Sequence, residues 1–321
     1  MAVMKSVLEA IGNTPLVELG RLVKHWELEG RILAKLDNLN PSGSKKDRIA
    51  LGMIREAERK GLLKPGQTVI EETSGNTGNG LSLVCSLLGY PFIAVMSKGN
   101  SIERVRICQA FGAKVVRVDQ APGSKPGEVS SADMDLVMAE TERLTKELGA
   151  FCVGQFHNSD NALAQEITGD EMWEQSGGKI DAIADFVGTG GGFAGIAASM
   201  RRHDPKVRCY VVEPANVPYY SKENNGEKSK KGGHRIQGGG YGREVPFLDR
   251  SLITGCIGVG DDEAIEGAHL LSSIEGIFCG FSSGAHAAAA RKLLQGPEKG
   301  KTVAIVICDT GLKYLSTDLY P

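Results

Sequence analysis

The stretch Asn40-Pro41-Ser42-Gly43-Ser44-Lys45-Lys46-Asp47-Arg48 separates two runs of different character. Before it, Arg31 to Leu36 reads as a strand; after it, Ile49 to Ile54 reads as a helix. The break holds Pro, Gly and two serines, which is loop chemistry. Strand, polar loop and helix in succession are the repeating unit of an α/β fold. Ser44 stands where it can cap the helix. Lysine amines at that helix start lie beside exposed backbone N–H groups and the positive end of the dipole, which lowers an amine's pKa. A neutral lysine amine is a nucleophile and forms Schiff bases. The plain alternative is two solvated lysines on a helix end.

Two further loops have the same strand-to-helix setting. Thr73-Ser74-Gly75-Asn76-Thr77-Gly78 follows the strand-like Thr68–Glu72 and precedes the helix-like run from Gly80 to Gly89. Its N–H groups and hydroxyls suit a carboxylate, unless Ser74 or Thr77 merely caps the helix. Gly188-Thr189-Gly190-Gly191-Gly192 follows the apolar run from Ala182 to Val187. Bare amides there wrap a phosphate, with tight packing as the alternative. Gly190, Gly192 and Gly195 also match GxGxxG, and Glu213 ends the next strand about twenty residues on. On that window alone the reading is an NAD-dependent oxidoreductase.

Together with Gly12-Asn13-Thr14-Pro15-Leu16 and Tyr314-Leu315-Ser316-Thr317, these motifs resemble, nearly end to end, the cysteine synthase and cystathionine β-synthase group of fold-type II pyridoxal-phosphate enzymes. The resemblance implies two three-layer α/β domains with the cofactor between them. Residues 1–44 and 155–321 would form the larger, phosphate-binding domain, and 45–154 the smaller mobile one. It implies that Lys46, which directly precedes Asp47-Arg48, carries pyridoxal 5'-phosphate and removes the α-proton. It reads Gly188, Thr189, Gly190, Gly191 and Gly192 as the phosphate cup. Asn76 would meet the phenolic oxygen and Ser282 the pyridine nitrogen. Thr73, Ser74, Gly75, Asn76, Thr77 and Gln155 would hold the substrate carboxylate, and Gly238 would line the substrate side chain. The implied reaction is β-replacement on L-serine or an O-activated L-serine, through an aminoacrylate, with sulfide or a thiol as second substrate. A β-elimination lyase or dehydratase is the alternative within the class. A hydroxyl at position 282, where a carboxylate would protonate the ring, favours elimination chemistry over transamination.

The chain departs from the family pattern at Gly192, where threonine is usual, at Asn79, where an apolar residue is common, at His157-Asn158-Ser159-Asp160-Asn161, and at Gly239 and Tyr241 in the loop after His234. These departures fall near the expected pocket and bear on substrate choice.

Composition fits this reading. A net charge of −2 gives no electrostatic case for nucleic acid or anionic membrane. No run is apolar enough to cross a bilayer, and the N-terminus lacks the form of a signal peptide. Seven scattered cysteines without a CxxC pair read as reduced thiols. The expectation is a cytoplasmic protein, and the resemblance implies a homodimer. His157, His203, His234, His269 and His286 lack ligand spacing, so no metal is expected. Strands and helices alternate throughout. The Pro-, Gly- and Ser-rich 120–132 reads as a loop, the charged 221–233 as a mobile loop, and the last helix as Ala285 to Leu294.

Overall fold

The computed structural model describes residues 3–124, 131–221, 233–246 and 248–320. Most of the two expected loops, 125–130 and 222–232, lies outside the described residues. Packing divides the chain into two units, Met1–Ile11 with Asn40–Asn161, and Gly12–Leu39 with Ala162–Pro321.

The first unit holds a four-stranded parallel sheet in the order β5-β4-β3-β6. The strands are β3 (Val69–Glu72), β4 (Phe92–Ser97), β5 (Lys114–Val118) and β6 (Phe151–Cys152). Its helices are α2 (Lys46–Arg59), α3 (Asn76–Leu88), α4 (Ile102–Ala110) and α5 (Ser131–Leu148). Every residue of β4 is buried, as the unbroken apolar run requires of a strand covered on both faces. Gly89 ends α3 in the left-handed conformation at φ 78°.

The second unit holds six strands in the order β1-β2-β10-β7-β8-β9. They are β1 (Leu16–Glu18), β2 (Arg31–Lys35), β7 (Ala182–Phe186), β8 (Arg208–Pro214), β9 (Gly255–Val259) and β10 (Thr302–Val306). Only β1 runs antiparallel. Helices α1 (Gly20–His25), α7 (Gly191–His203), α8 (Asp261–Glu275) and α9 (Phe281–Gln295) belong to it, and α6 (Asp160–Gln175) begins in the first unit and continues here. Asn13-Thr14 locks the start of β1 to the end of β2. The Thr14 hydroxyl donates to Asp37 at 2.7 Å, and the buried Lys35 ammonium donates to the Thr14 carbonyl at 2.6 Å and pairs with Glu171.

The units change over at 11/12, 39/40 and 161/162, where the sequence suggested only 44/45 and 154/155 and kept residues 1–11 with the larger unit. Local bonding accounts for the last two differences. Ser42 N–H donates to Asp47 in α2 at 2.6 Å, which draws the loop before α2 into the first unit. At the other end Gln155 bonds to Glu71 and Glu72 of β3, and Asn161 donates to the Gln155 carbonyl at 2.8 Å.

Helix α9 starts four residues before the expected Ala285. Its N-cap is Gly280 at φ −88°, ψ 176°, with no capping side chain. Ser282 and Ser283 therefore lie in the first helical turn and do not precede the helix.

Candidate active site

In the first unit the candidate residues gather at the starts of α2 and α3. Lys46 is the first residue of α2, half-buried, and its N–H donates to the Ser44 hydroxyl at 3.3 Å. Lys45 is 7 % exposed, so the neighbouring lysines occupy different environments. Asp47 and Arg48 are buried beneath them, and Asp47 accepts from both the N–H and the hydroxyl of Ser42. Gly80 of α3 abuts this turn, since a Cβ there would lie 3.0 Å from the Lys46 carbonyl. The start of α2 thus packs against α3 at Gly80, one turn into that helix.

The 73–78 loop is built by Thr73. Its hydroxyl accepts from Gly75 N–H and Gly78 N–H, each at 3.0 Å. Neither Ser74 nor Thr77 caps α3; the N-cap is Gly75 at φ 139°, with no side-chain cap bond. Only glycine suits that backbone, and a Cβ would lie 2.2 Å from Arg104 Cδ. Arg104, 3 % exposed, backs the loop and donates to the Ser74 carbonyl at 2.8 Å. The sequence carried no signal for that role.

Gln155 belongs to the same group. Its carboxamide oxygen accepts from the Thr77 hydroxyl at 2.7 Å, and its nitrogen donates to the Glu72 carbonyl at 2.8 Å. Beneath it, fully buried Glu71 accepts from Gly154 N–H at 2.7 Å and Gln155 N–H at 3.2 Å. Burial pushes the Glu71 carboxyl up to about 8, against the opposing pull of those two N–H groups. The unusual 157–161 segment is structural. Asn158 accepts from Asp160 N–H at 3.0 Å where α6 starts, and Asp160 pairs with Lys60 at 2.7 Å. Asn79 is fully buried, its amide oxygen accepting from the Cys108 thiol.

In the second unit the residues gather at the C-terminal ends of β7 and β10. Gly188 to Gly190 link β7 to α7, whose N-cap Gly190 has φ 85° and no side-chain cap bond. The loop is pressed against residues 238–240. A Cβ on Gly188 would lie 2.4 Å from the Gly238 carbonyl oxygen, and one on Gly190 2.5 Å from Val245 Cγ2. Gly240 N–H donates to the Val187 carbonyl at 2.9 Å. The result is a backbone cradle at a helix N-terminus, with Thr189 and Gly191 buried and Gly192 half-buried. Such a cradle fits the dianionic phosphate of pyridoxal phosphate. Gly238, at φ 105°, has open space on the side where a Cβ would project. His234 Nε2 donates to the Gly240 carbonyl at 3.0 Å, and burial lowers its pKa.

The dinucleotide reading fails on Glu213. Its carboxylate accepts from the N–H groups of Tyr219, Tyr220 and Ser221 at 2.7, 2.9 and 3.0 Å, and it is 4 % exposed. It closes a turn and is spent as a partner for ribose. Ser283 accepts from Cys308 N–H, which separates its role from that of its neighbour Ser282, 7 % exposed.

Parallel sheets with glycine loops and helix N-termini beyond the strand ends define an α/β enzyme fold of the ligand-binding kind. The comparisons narrow this. The sequence matches the family described as pyridoxal-phosphate dependent enzyme over residues 7–309, and the chain belongs to that family. It is 38% identical over 314 residues to cysteine synthase A of Escherichia coli (strain K12), covering 97% of this chain and 93% of that protein. It is 36% identical over 316 residues to cystathionine beta-synthase of Apis mellifera, where it covers 98% of this chain but spans only 61% of the bee protein. Among solved structures, O-acetyl serine sulfhydrylase isoform 3 from Entamoeba histolytica aligns with a TM-score of 0.89 at 36% identity, over 99% of this chain and 92% of that one. A hydrogen sulfide-producing enzyme from Fusobacterium nucleatum aligns with a TM-score of 0.87 at 35% identity, over 98% and 100%. The protein is a fold-type II, pyridoxal-phosphate dependent enzyme of the cysteine synthase kind.

Proposed function

We propose that the enzyme replaces the β-substituent of L-serine or an O-activated L-serine with sulfide or a thiol, giving cysteine or a thioether amino acid. The observation that carries this reading is the buried hydroxyl of Ser282 at the N-terminus of α9, in the unit that also holds the phosphate cradle. A neutral hydroxyl that would meet the pyridine nitrogen suits loss and replacement at Cβ more than transamination. When bound, pyridoxal phosphate withdraws electrons from Cα of an amino acid and so loosens its α-proton and β-substituent.

Lys46 would hold the cofactor covalently, and its Nζ would serve as the acceptor of the α-proton. Gly188, Thr189, Gly190, Gly191 and Gly192 bind the phosphate, and Asn76 the phenolic oxygen. Thr73, Ser74, Gly75, Thr77 and Gln155 bind and orient the substrate carboxylate, and Gly238 leaves room for the side chain. Residues 155–161 stay with the smaller unit in this scheme, with the larger unit carrying the cradle.

A second reading, β-elimination that releases sulfide, draws support from the likeness to the Fusobacterium nucleatum hydrogen sulfide-producing enzyme. The deciding assay supplies O-acetyl-L-serine with sulfide and quantifies cysteine against pyruvate. Excess cysteine supports replacement; pyruvate and sulfide from a parallel reaction on L-cysteine alone, with no cysteine made from O-acetyl-L-serine, select elimination. The same reading carries a cytoplasmic homodimer, favoured by the exposed Leu163 and Ile167 one turn apart on α6. Light scattering at working concentration tests the oligomer. No helix among the described residues is long and apolar enough to cross a membrane.

A further inference from the structure

Strands β7 and β10 pair only at their beginnings, where Ala182 and Ile183 face Val303 and Ala304. Beyond that point a side chain stands between them. His286 of α9 is fully buried; its Nε2 accepts from Phe186 N–H at 2.6 Å and its Nδ1 donates to the Val306 carbonyl at 2.6 Å. The carbonyl can only accept, so Nδ1 carries the proton. The Phe186 N–H can only donate, so Nε2 offers its lone pair. Asp185 and Cys308 bring further ligand atoms within 4.8 Å, a metal-like grouping. Because both imidazole nitrogens are committed to backbone groups, the grouping is not read as a metal site.

The imidazole takes the place of a ladder bond. Phe186 N–H and Val306 C=O are held two hydrogen bonds and a ring apart, where direct pairing would bring them to ~2.9 Å. Two residues beyond Phe186 the chain enters the cradle at Gly188. Two residues beyond Val306, Cys308 N–H donates to Ser283, next to Ser282. Ser282 itself lies one turn before His286 on the same helix. The ring thus spaces the two strand ends that carry the phosphate loop and the anchor of Ser282.

We propose that His286 is a positioning residue for the cofactor, wedging β7 from β10 so that the phosphate cradle and the Ser282 hydroxyl stand at the separation that pyridoxal phosphate spans. This rests on the cradle and Ser282 reading above. The test prepares His286→Ala and His286→Gln as holoenzymes, with Gly188→Ala as a control. It measures the dissociation constant of pyridoxal phosphate and the ³¹P chemical shift of the bound phosphate, alongside thermal midpoints. The expected result is at least a tenfold loss of cofactor affinity and a displaced ³¹P resonance in His286→Ala, with much of the affinity regained in His286→Gln, which keeps one donor and one acceptor. Affinity within twofold and an unmoved resonance in the alanine variant overturn the proposal, even if the thermal midpoint falls. Should the alanine variant not be recovered folded, His286→Asn, too short to serve both strands, is held to the same two outcomes. Gly188→Ala should abolish tight binding. If it does not, the cradle reading itself fails. If it does while the His286 variants bind normally, only the wedge fails.

Discussion

The hydroxyl of Ser283 accepts the backbone N–H of Cys308 at 2.9 Å, in full burial, and so ties the first turn of α9 to the end of β10. This divides the labour of two adjacent serines. Ser283→Ala orphans a buried N–H and should cost about 1–3 kcal/mol of stability. The folded enzyme should keep turnover within roughly threefold. Ser282→Ala should leave stability within about 0.5 kcal/mol and reduce kcat by around tenfold. Urea unfolding and steady-state kinetics on both variants check this. A stable Ser283→Ala with the larger kinetic loss would exchange the two assignments.

Lys46 and Lys45 form a second contrasted pair. Borohydride reduction followed by peptide mapping should place the pyridoxyl group on Lys46. Lys46→Ala removes both the covalent anchor and the proton acceptor, so turnover should fall by ~10³-fold or more. Lys45→Ala should retain turnover within about tenfold. A pyridoxyl label on Lys45 would contradict the scheme.

The pH dependence of stability should carry the signature of Glu71. Its carboxyl is pushed from the usual 4.5 up to about 8. Between those values the folded protein holds a proton that the unfolded chain has released. The folded state therefore binds more protons, and stability falls as pH rises through the window from about 4.5 to about 8. The contribution is fully present below that window and lost above it, with a slope on the order of 1 kcal/mol per pH unit. Glu71→Gln should flatten this slope while losing one backbone bond to Gly154 or Gln155. Denaturation midpoints from pH 5 to 9 test it. Parallel profiles for wild type and variant would mean that Glu71 does not titrate in this window.

How much of this was legible in the sequence depends on the range of the contacts. The central strands could be read because parallel strands buried on both faces leave unbroken apolar runs, as in Phe92–Ser97, whereas the two-residue β6 and the half-exposed, glycine-containing β9 left no such run. The glycine loops were legible as local strand-to-helix breaks. The start of α9 was not, because Gly280 caps it without a side chain. Arg104 escaped notice because it meets Ser74 thirty residues away in sequence, and the partners of His286 were not legible because Phe186 lies a hundred residues away. Glu213 misled for the opposite reason. It occupies the expected place of a ribose partner, yet three neighbouring backbone N–H groups consume it.

Thr73 offers the sharpest test of the carboxylate loop. Its hydroxyl accepts from Gly75 and Gly78, so one oxygen holds both ends of the turn that leads into α3. The loop's own N–H groups can meet a carboxylate only if their directions are fixed in advance, because a loop that must be ordered on binding spends affinity on that ordering. Thr73→Ser keeps the oxygen and should hold KM for the amino acid within about threefold. Thr73→Ala releases both N–H groups and should raise KM at least tenfold, with a smaller fall in kcat, since the chemistry at Lys46 is untouched. Hydrogen exchange adds a readout independent of turnover. The amides of residues 75–79 should exchange faster in Thr73→Ala, and an unreactive amino acid should protect them in wild type but only weakly in the variant. If the alanine variant binds the amino acid normally and these amides exchange as in wild type, the loop is held by its packing against Arg104, and Thr73 plays no part in presenting it.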